Sequence, residues 1–452
     1  MRRLAVAVVL VVAAAACGDD TQLLTPEELR DPEACKDCHP DHYREWSGSM
    51  HAYAGEDPVF RAMNRRGQED TNGLLGDFCV RCHAPVALRL GLTTDGQNLD
   101  DVAGWAKGVT CFYCHSVDAV DGDHNNQLRL AADGVIRGGI RDPAAGAGHR
   151  SAYSPLVDAD AQESSSVCGG CHDLVTPTDV HLERTFAEWK TTIFADPEPR
   201  QHLSCGQCHM FTRPGVIADV PGVPLRTRRE HTFAGIDVAL TPWPEMEAQR
   251  TAIARDLMAT LLPKLCVTPV DGGQIEYTLD NVGAGHMWPS GASQDRRAWA
   301  EVIAYDAAGE ILFESGTKLD GKDPEDAIAD DPNLWRLYDD VFDKDGNRAH
   351  FFWEVARVES LNLLKPQVTT DPSDPAFYHA VTRVYPVLGQ VPNIARVTAR
   401  VRIRPLPYGL IDALIASGDL TASVRDAVPT IELDGTKLEW TLETQENGCV
   451  AP

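Results

Sequence analysis

The chain has 452 residues, which is enough for two or three domains that each bury a core of their own. Its 67 acidic residues outnumber its 41 basic residues and give a formal net charge of −26. Nucleic acid is therefore not expected as a partner, because binding to phosphates needs clustered basic residues. A basic protein partner would suit such a negative surface better.

The first residues of the chain resemble an export signal. Arg2 and Arg3 precede an apolar run that is too short to cross a bilayer, and small residues stand before Cys17. The letters AAAC before Gly-Asp-Asp resemble a bacterial lipoprotein signal, in which Cys17 becomes the lipidated first residue. An ordinary secretory signal that contains a cysteine is the alternative.

We therefore predict a signal over residues 1–17 and a linker over residues 18–32. The mature protein is expected in the periplasm or cell envelope of a bacterium, attached to a membrane only through a lipid anchor.

Ten of the thirteen cysteines stand in five copies of the pattern C-x-x-C-H. Two thiols separated by two residues can bond the two vinyl groups of one haem, and the adjacent histidine then binds the iron as its proximal ligand. Zinc sites and redox disulfides are the alternatives, but all five motifs carry histidine directly after the second cysteine. The predicted attachment residues are Cys35, Cys38, Cys79, Cys82, Cys111, Cys114, Cys168, Cys171, Cys205 and Cys208, and the predicted proximal ligands are His39, His83, His115, His172 and His209. The sequence thus predicts five covalently bound haem c groups.

Five haems between residues 35 and 209 leave too little chain for a conventional core, so the porphyrins must form much of it. Glycine and proline are frequent between the motifs, which indicates short helices joined by long loops. We predict a multihaem domain of helical and irregular structure over residues 33–240.

Ten histidines lie outside the motifs, and five of them are occupied if each iron takes a second histidine. The stretch CKDCHPDHYREWSGSMHAYA resembles the first haem segment of the cytochrome c-554-type multihaem family, in which the histidine of W-x-x-S-x-H-A is a distal ligand. The resemblance covers roughly residues 33–236 and implies distal roles for His51, for His149 before S-P-L, and for His231 in REHTFAGID. It also implies that His51 reaches a haem other than the one attached at Cys35.

The other two distal ligands have weaker signals. His286 lies in NVGAGHMWPSG, and a similar turn recurs in relatives with a C-terminal β-domain, which implies that His286 docks onto the haem array. A histidine that bonds only to its own loop is the alternative. For the last iron we choose His124 over His181, and we expect His42 to be exposed.

A faint internal repeat is visible as well. The letters YREWSGSMHA resemble FAEWKTTIFA, with Phe194 in the position of His51. An old duplication and a coincidence around a Glu-Trp pair both remain open.

The last third of the chain has a different pattern. Helical spacing predicts a connecting helix over residues 241–263 that ends at Pro263. Alternating apolar residues and the turn signals AAGE and LDGT then predict hairpins and a β-sandwich over residues 264–452, so the fold class is α+β. Cys266 and Cys449 lie at the two ends of this domain and are expected to form a disulfide, with free thiols as the alternative.

Four arginines alternate with apolar residues on one predicted strand: Arg396, Arg400, Arg402 and Arg404. A solvated outer face is one interpretation. Contact with haem propionates is the other, because the guanidinium group binds carboxylates through two hydrogen bonds.

The sequence favours an electron carrier, since haem irons with two histidine ligands have no free position for a substrate. Its partners would be redox proteins, such as other cytochromes or a membrane quinol-linked complex. The alternative is a multihaem oxidoreductase that acts on a small nitrogen or sulfur compound at one five-coordinate haem. A third hypothesis is a scaffold subunit whose β-domain docks a partner.

Overall fold

The computed structural model describes residues 23–143, 148–198, 200–268, 274–386, 394–443 and 448–452. The predicted signal and Cys17 lie outside these ranges. Helices and strands are largely segregated along the chain, which makes the fold α+β as the sequence predicted. None of the helices in these ranges has the length and apolar content needed to cross a bilayer.

The N-terminal half consists of short helices and small two-stranded sheets. Its helices are α1 (Glu33–Lys36), α2 (Pro40–Ser47), α3 (Met50–Tyr53), α4 (Pro58–Asp70), α5 (Val80–His83), α6 (Pro85–Arg89), α7 (Cys111–His115), α8 (Ser164–Cys171), α9 (Thr185–Trp189) and α10 (Cys205–His209). Its strands pair as β1 (Val117–Val120) with β2 (Leu128–Leu130), β3 (Val135–Gly138) with β4 (Arg150–Tyr153), β5 (Leu174–Val175) with β6 (His181–Glu183), and β7 (Thr212–Gly215) with β8 (Arg226–Arg229).

Every C-x-x-C-H motif contains residues of a short helix, namely α1, α5, α7, α8 or α10. A helical turn places residues three apart on the same face, so both thiols of a motif can point to the same side. Side chains cap two of these turns, because the hydroxyl of Thr110 accepts from the Tyr113 amide and that of Ser204 accepts from the Gln207 amide.

The C-terminal half is a sandwich of two antiparallel sheets preceded by helix α11 (Met246–Met258). Its strands are β9 (Leu262–Thr268), β10 (Gln274–Asp280), β11 (Arg297–Tyr305), β12 (Ile311–Ser315), β13 (Trp335–Leu337), β14 (Asp340–Phe342), β15 (Arg357–Glu359), β16 (Val381–Pro386), β17 (Arg396–Arg404), β18 (Ile431–Thr441) and β19 (Cys449–Val450), and its helices are α12 (Pro324–Ala327), α13 (Tyr408–Ala416) and α14 (Ser423–Ala427). One sheet has the order β16-β10-β9-β19 and the other β12-β11-β17-β18, with β13 also paired to β11.

The two sheets enclose the largest hydrophobic core of the described residues, which includes Leu265, Ile275, Val302, Val401 and Trp440. A second apolar cluster joins the two halves of the chain. There, Val59 and Ala62 of α4 pack with Leu410, Ile411 and Leu414 of α13. The β-domain is therefore fixed to the N-terminal half through side chains of both.

Two sequence predictions about this half are wrong in detail. The connecting helix ends at Met258, and Pro263 lies inside strand β9. Proline is tolerated there because, among the described residues, β19 pairs with β9 only at Leu265 and Cys266 and no strand pairs with the other edge at Pro263. The letters LDGT do not form a hairpin turn, since β18 runs through them as one strand with an irregular register opposite Ala399 and Val401.

The four arginines of β17 pair with carboxylates of their own domain. Arg400 and Arg402 both bind Glu301 of the adjacent strand, and Arg396 binds Glu439. Arg404 is buried and binds the buried Asp323 at 3.0 Å. Arg404 therefore neither lies on a solvated face nor binds a propionate, because Asp323 already neutralises its charge inside the domain.

Candidate haem-binding sites

Three proximal histidines are held by hydrogen bonds to backbone carbonyl groups. The Nδ1 atoms of His39, His115 and His209 lie 2.6, 2.5 and 3.0 Å from the carbonyl oxygens of Ile217, Arg137 and Ala234. A ring that donates its Nδ1–H in this way keeps the lone pair of Nε2 for a metal, which is the usual arrangement of metal-binding histidines.

Three proximal histidines also face one of the predicted distal histidines. The ring centroids are 6.2 Å apart for His39 and His149, 6.2 Å for His172 and His51, and 6.3 Å for His115 and His231. These rings are too far apart for contact. Two imidazoles that bind opposite sides of one metal through bonds of about 2 Å would be separated by roughly this distance. The residues therefore fit an iron between each pair.

The pKa values of the distal rings show that they are desolvated. Burial lowers the pKa of His51 and that of His231 to about 3, yet both side chains keep some accessible surface. Both rings are therefore largely removed from water. A neutral imidazole is the form that binds a metal.

The attachment helices also meet one another. The Cys35 and Cys111 thiols are within hydrogen-bonding reach, as are those of Cys168 and Cys205. A third contact joins Cys82 to Cys171. Together with the paired rings, these contacts bring thiol and imidazole groups of different motifs close to one another, as neighbouring covalent haems require. Cys38 departs from the predicted attachment role, because it is disulfide-bonded in this structure.

Comparison with known proteins agrees with this geometry. Residues 34–116 match the family of cytochrome c554 and c-prime. A penta-haem cytochrome c552 from Thermochromatium tepidum superposes with a TM-score of 0.62 over 92% of this chain and 100% of that chain, at 18% sequence identity. The family match thus covers the first three C-x-x-C-H motifs, and the chain as a whole shares the fold of a penta-haem cytochrome. No curated protein matches it significantly in sequence.

The loop between β10 and β11 places His286 near two of the C-x-x-C-H histidines. Burial lowers the pKa of His286 to about 4, and among the charged groups that act on it are His209 and His172. The Nδ1 atom of His286 lies 2.7 Å from the carbonyl oxygen of Met287. Its loop therefore presents Nε2 in the same way as the other candidate ligands do.

The second attachment motif differs from the other four. The ring of His83 stacks on Phe60 with centroids 4.3 Å apart and hydrogen-bonds to the backbone of Ala54, but among the described residues no second histidine ring faces it. The structure does not bring His124 to this site. His124 is partly exposed, and its Nδ1 lies 3.1 Å from a carboxylate oxygen of Asp123. His181, the other candidate, is exposed beside Arg184.

His42 is not exposed, contrary to the sequence prediction. Its ring lies 4.8 Å from that of His231 and 6.0 Å from that of His39, and burial lowers its pKa to about 3. His42 follows His39 by one helical turn, so both histidines project to the same side. The three-residue spacing could therefore have predicted that His42 lies on the same side as His39.

Sequence analysis also missed the residues that hold the distal histidines. Glu45 is buried and accepts a hydrogen bond of 2.9 Å from the amide of His231 and one of 2.8 Å from Arg228. Phe233 lies between the rings of His51 and His231, at 4.6 and 5.5 Å. The repeated Glu-Trp pair was the only signal in the sequence that pointed to Glu45.

Proposed function

We propose that the protein is a multihaem c-type cytochrome, an exported electron carrier with five covalent haems, four of which are bound by two histidines each. The axial pairs would be His39 with His149, His115 with His231, His172 with His51, and His209 with His286. The observation that carries this proposal is the metal-sized separation of 6.2 to 6.3 Å in the first three pairs. The fourth pair is supported by the buried position of His286 and by its electrostatic interaction with His209.

Haem iron takes up and releases single electrons, and two histidine ligands leave it no free position. The chain's own residues would keep the rings neutral through burial and oriented through their carbonyl partners. The contacts Cys35–Cys111, Cys82–Cys171 and Cys168–Cys205 support a close arrangement of neighbouring sites.

The second candidate function is an oxidoreductase, and it is favoured because no second histidine faces His83 among the described residues. An iron with one protein ligand could bind a small nitrogen or sulfur compound. Asp237 acts electrostatically on His83 and is held by both terminal nitrogens of Arg296, at 2.6 and 2.8 Å. This carboxylate would be the nearest candidate for handling protons.

The partners we propose are redox proteins with a basic surface, since the chain carries a net charge of −26. The location we propose is the bacterial periplasm or cell envelope, with a lipid at Cys17 as the membrane attachment. Electron exchange with a basic partner should then slow as salt is added, because added ions screen exposed charges.

Low-temperature EPR of the fully oxidised protein tests the ligand set. We expect about four low-spin haems and one high-spin haem, and only the high-spin signal should change when cyanide, nitrite or hydroxylamine is added. Five low-spin haems would contradict the open second site. Two or more high-spin haems would remove at least one proposed pair. Turnover of nitrite or hydroxylamine, lost in a His83→Ala variant, would favour the oxidoreductase over the carrier.

A further inference from the structure

The Glu-Trp pairs of α2 and α9 make matching hydrogen bonds. The indole Nε1–H of Trp46 donates to the carbonyl oxygen of Val109 at 2.8 Å, and that of Trp189 donates to Leu203 at 3.0 Å. Each carbonyl belongs to the residue two positions before an attachment cysteine, Cys111 or Cys205. Both tryptophans thus hold the beginning of an attachment helix.

The residues that follow the two tryptophans match as well. Ser49 and Thr192 both donate a hydroxyl hydrogen to the tryptophan carbonyl three residues earlier, at 2.7 and 2.8 Å. The backbone carbonyl of His51 accepts from the Val109 amide, and that of Phe194 accepts from the Leu203 amide. The two segments thus share one local hydrogen-bond pattern as well as the repeated letters. In the second segment, Phe194 takes the position of His51 and packs against Gly285.

The two glutamates bind loops other than the segments that the tryptophans bind. Glu45 accepts a hydrogen bond from the amide of His231 at 2.9 Å. Glu188 accepts from the amide of Met287 at 3.2 Å and from the hydroxyl of Ser290 at 2.6 Å. Each glutamate therefore holds a loop that bears a candidate distal histidine, His231 or His286.

We propose that each Glu-Trp pair is a clamp that fixes both axial histidines of one haem site. Glu45 and Trp46 would act on His231 and His115, and Glu188 and Trp189 would act on His286 and His209. Adjacent residues on a helix point in different directions, so one short helix can hold the proximal segment with its tryptophan and the distal loop with its glutamate. This inference rests on the ligand set of the proposed function, and it assigns positioning roles rather than ligation.

The second clamp has a further consequence, because its two sides belong to different domains. Trp189 holds the multihaem domain, whereas Glu188 holds the loop from Asn281 to Gly291 of the β-domain. Thr185 adds hydrogen bonds to Ser290 and to the amide of Gly291, at 2.8 and 2.9 Å. Helix α9 would thus hold the loop that carries His286 at a fixed distance from the attachment helix that carries His209.

The second clamp offers the clearer test, since Glu45 also neutralises the buried Arg228 and its loss could prevent folding. The test uses the full chain with attached haems. There, Glu188→Ala should raise the rate at which cyanide displaces His286 by about tenfold, because the variant loses both hydrogen bonds to the loop. Glu188→Gln keeps an acceptor oxygen and should change this rate less than threefold. Glu247→Ala makes the same change at an exposed site of α11 and serves as the control.

A His286→Ala variant separates the inference from the ligand set. We expect His286→Ala to convert one low-spin EPR signal to high-spin, and Glu188→Ala to add nothing in that background, because Glu188 acts only through His286. If His286→Ala has this effect but Glu188→Ala stays within twofold of the unaltered protein, the clamp is wrong and the ligand set stands. If His286→Ala leaves the number of low-spin haems unchanged, the proposed fourth pair is wrong and the clamp at this site fails with it.

Discussion

The imidazole rings of His51 and His172 face each other with centroids 6.2 Å apart. His51 follows the first attachment motif, whereas His172 ends the fourth. On the proposed ligand set, the stretch from Cys35 to Ala54 would therefore contribute to two sites, with His39 in one and His51 in another.

We predict that His51→Ala opens the site of His172 and leaves that of His39 intact. The high-spin share of the oxidised protein should rise by about one haem in five, because one iron loses its sixth ligand. EPR integration with a calibrated haem content measures this share. His181→Ala is the matched control, since His181 is exposed and lies beside Arg184. An unchanged spectrum for His51→Ala would show that His51 is not a ligand.

The buried ion pair between Arg404 and Asp323 should be essential to the stability of the β-domain. The carboxylate of Asp323 also accepts from the amides of Tyr408 and Gly409, at 3.0 and 2.8 Å. Arg404→Met would leave a buried charge without its cation, so we expect a loss of about 3–5 kcal/mol in the free energy of unfolding. Denaturant unfolding followed by tryptophan fluorescence measures it.

Arg396→Met on the same strand provides the comparison. Arg396 pairs with Glu439 at 3.3 Å where both side chains are exposed, and such pairs contribute less than about 1 kcal/mol. Equal losses for the two variants would contradict the role given to burial.

Asp339 should make the β-domain more stable at low pH. Burial raises the pKa of this carboxyl, and hydrogen bonds from Ser293, at 2.6 Å, and from Ser360 offset only part of that effect. A raised folded-state pKa means that folding favours the protonated form. The contribution is present below the unfolded pKa of about 4 and is lost as pH rises through the folded value.

We therefore expect the free energy of unfolding of the Asp339→Asn variant to change less with pH over this range than that of the unaltered protein. The measurement is the difference in unfolding free energy between the variant and the unaltered protein from pH 4 upwards. A difference that does not change with pH would show that Asp339 is ionised in the folded state.

The disulfide between Cys266 and Cys449 should stabilise the β-domain without affecting the spin states of the haems. It closes a loop with a sequence separation of 183 and holds β19, which pairs only with β9. A Cys266→Ser/Cys449→Ser variant should lose about 4 kcal/mol of unfolding free energy through the added entropy of the unfolded chain. Dithiothreitol should destabilise the unaltered protein to a similar extent and the variant not at all. A variant as stable as the unaltered protein would contradict this.

The sequence determined the chemistry of this protein because that chemistry is local. Two thiols and a histidine in five consecutive residues specify one haem attachment, and no distant residue is needed to recognise it. The alternation of residues in β10, β11 and β17 was equally clear, since it depends only on the two-residue period of a strand. The α+β division followed from these two patterns.

Only the tertiary structure decided which distant residues meet. His51 pairs with His172, His83 has no second histidine among the described residues, and Glu45 and Glu188 reach loops far along the chain. His124 was a reasonable choice by type, but its loop places it beside Asp123 at the surface. Helical turns and strand periods repeat within a few residues, whereas the partner of an axial histidine depends on how whole segments pack, and a single sequence carries little local signal of that packing.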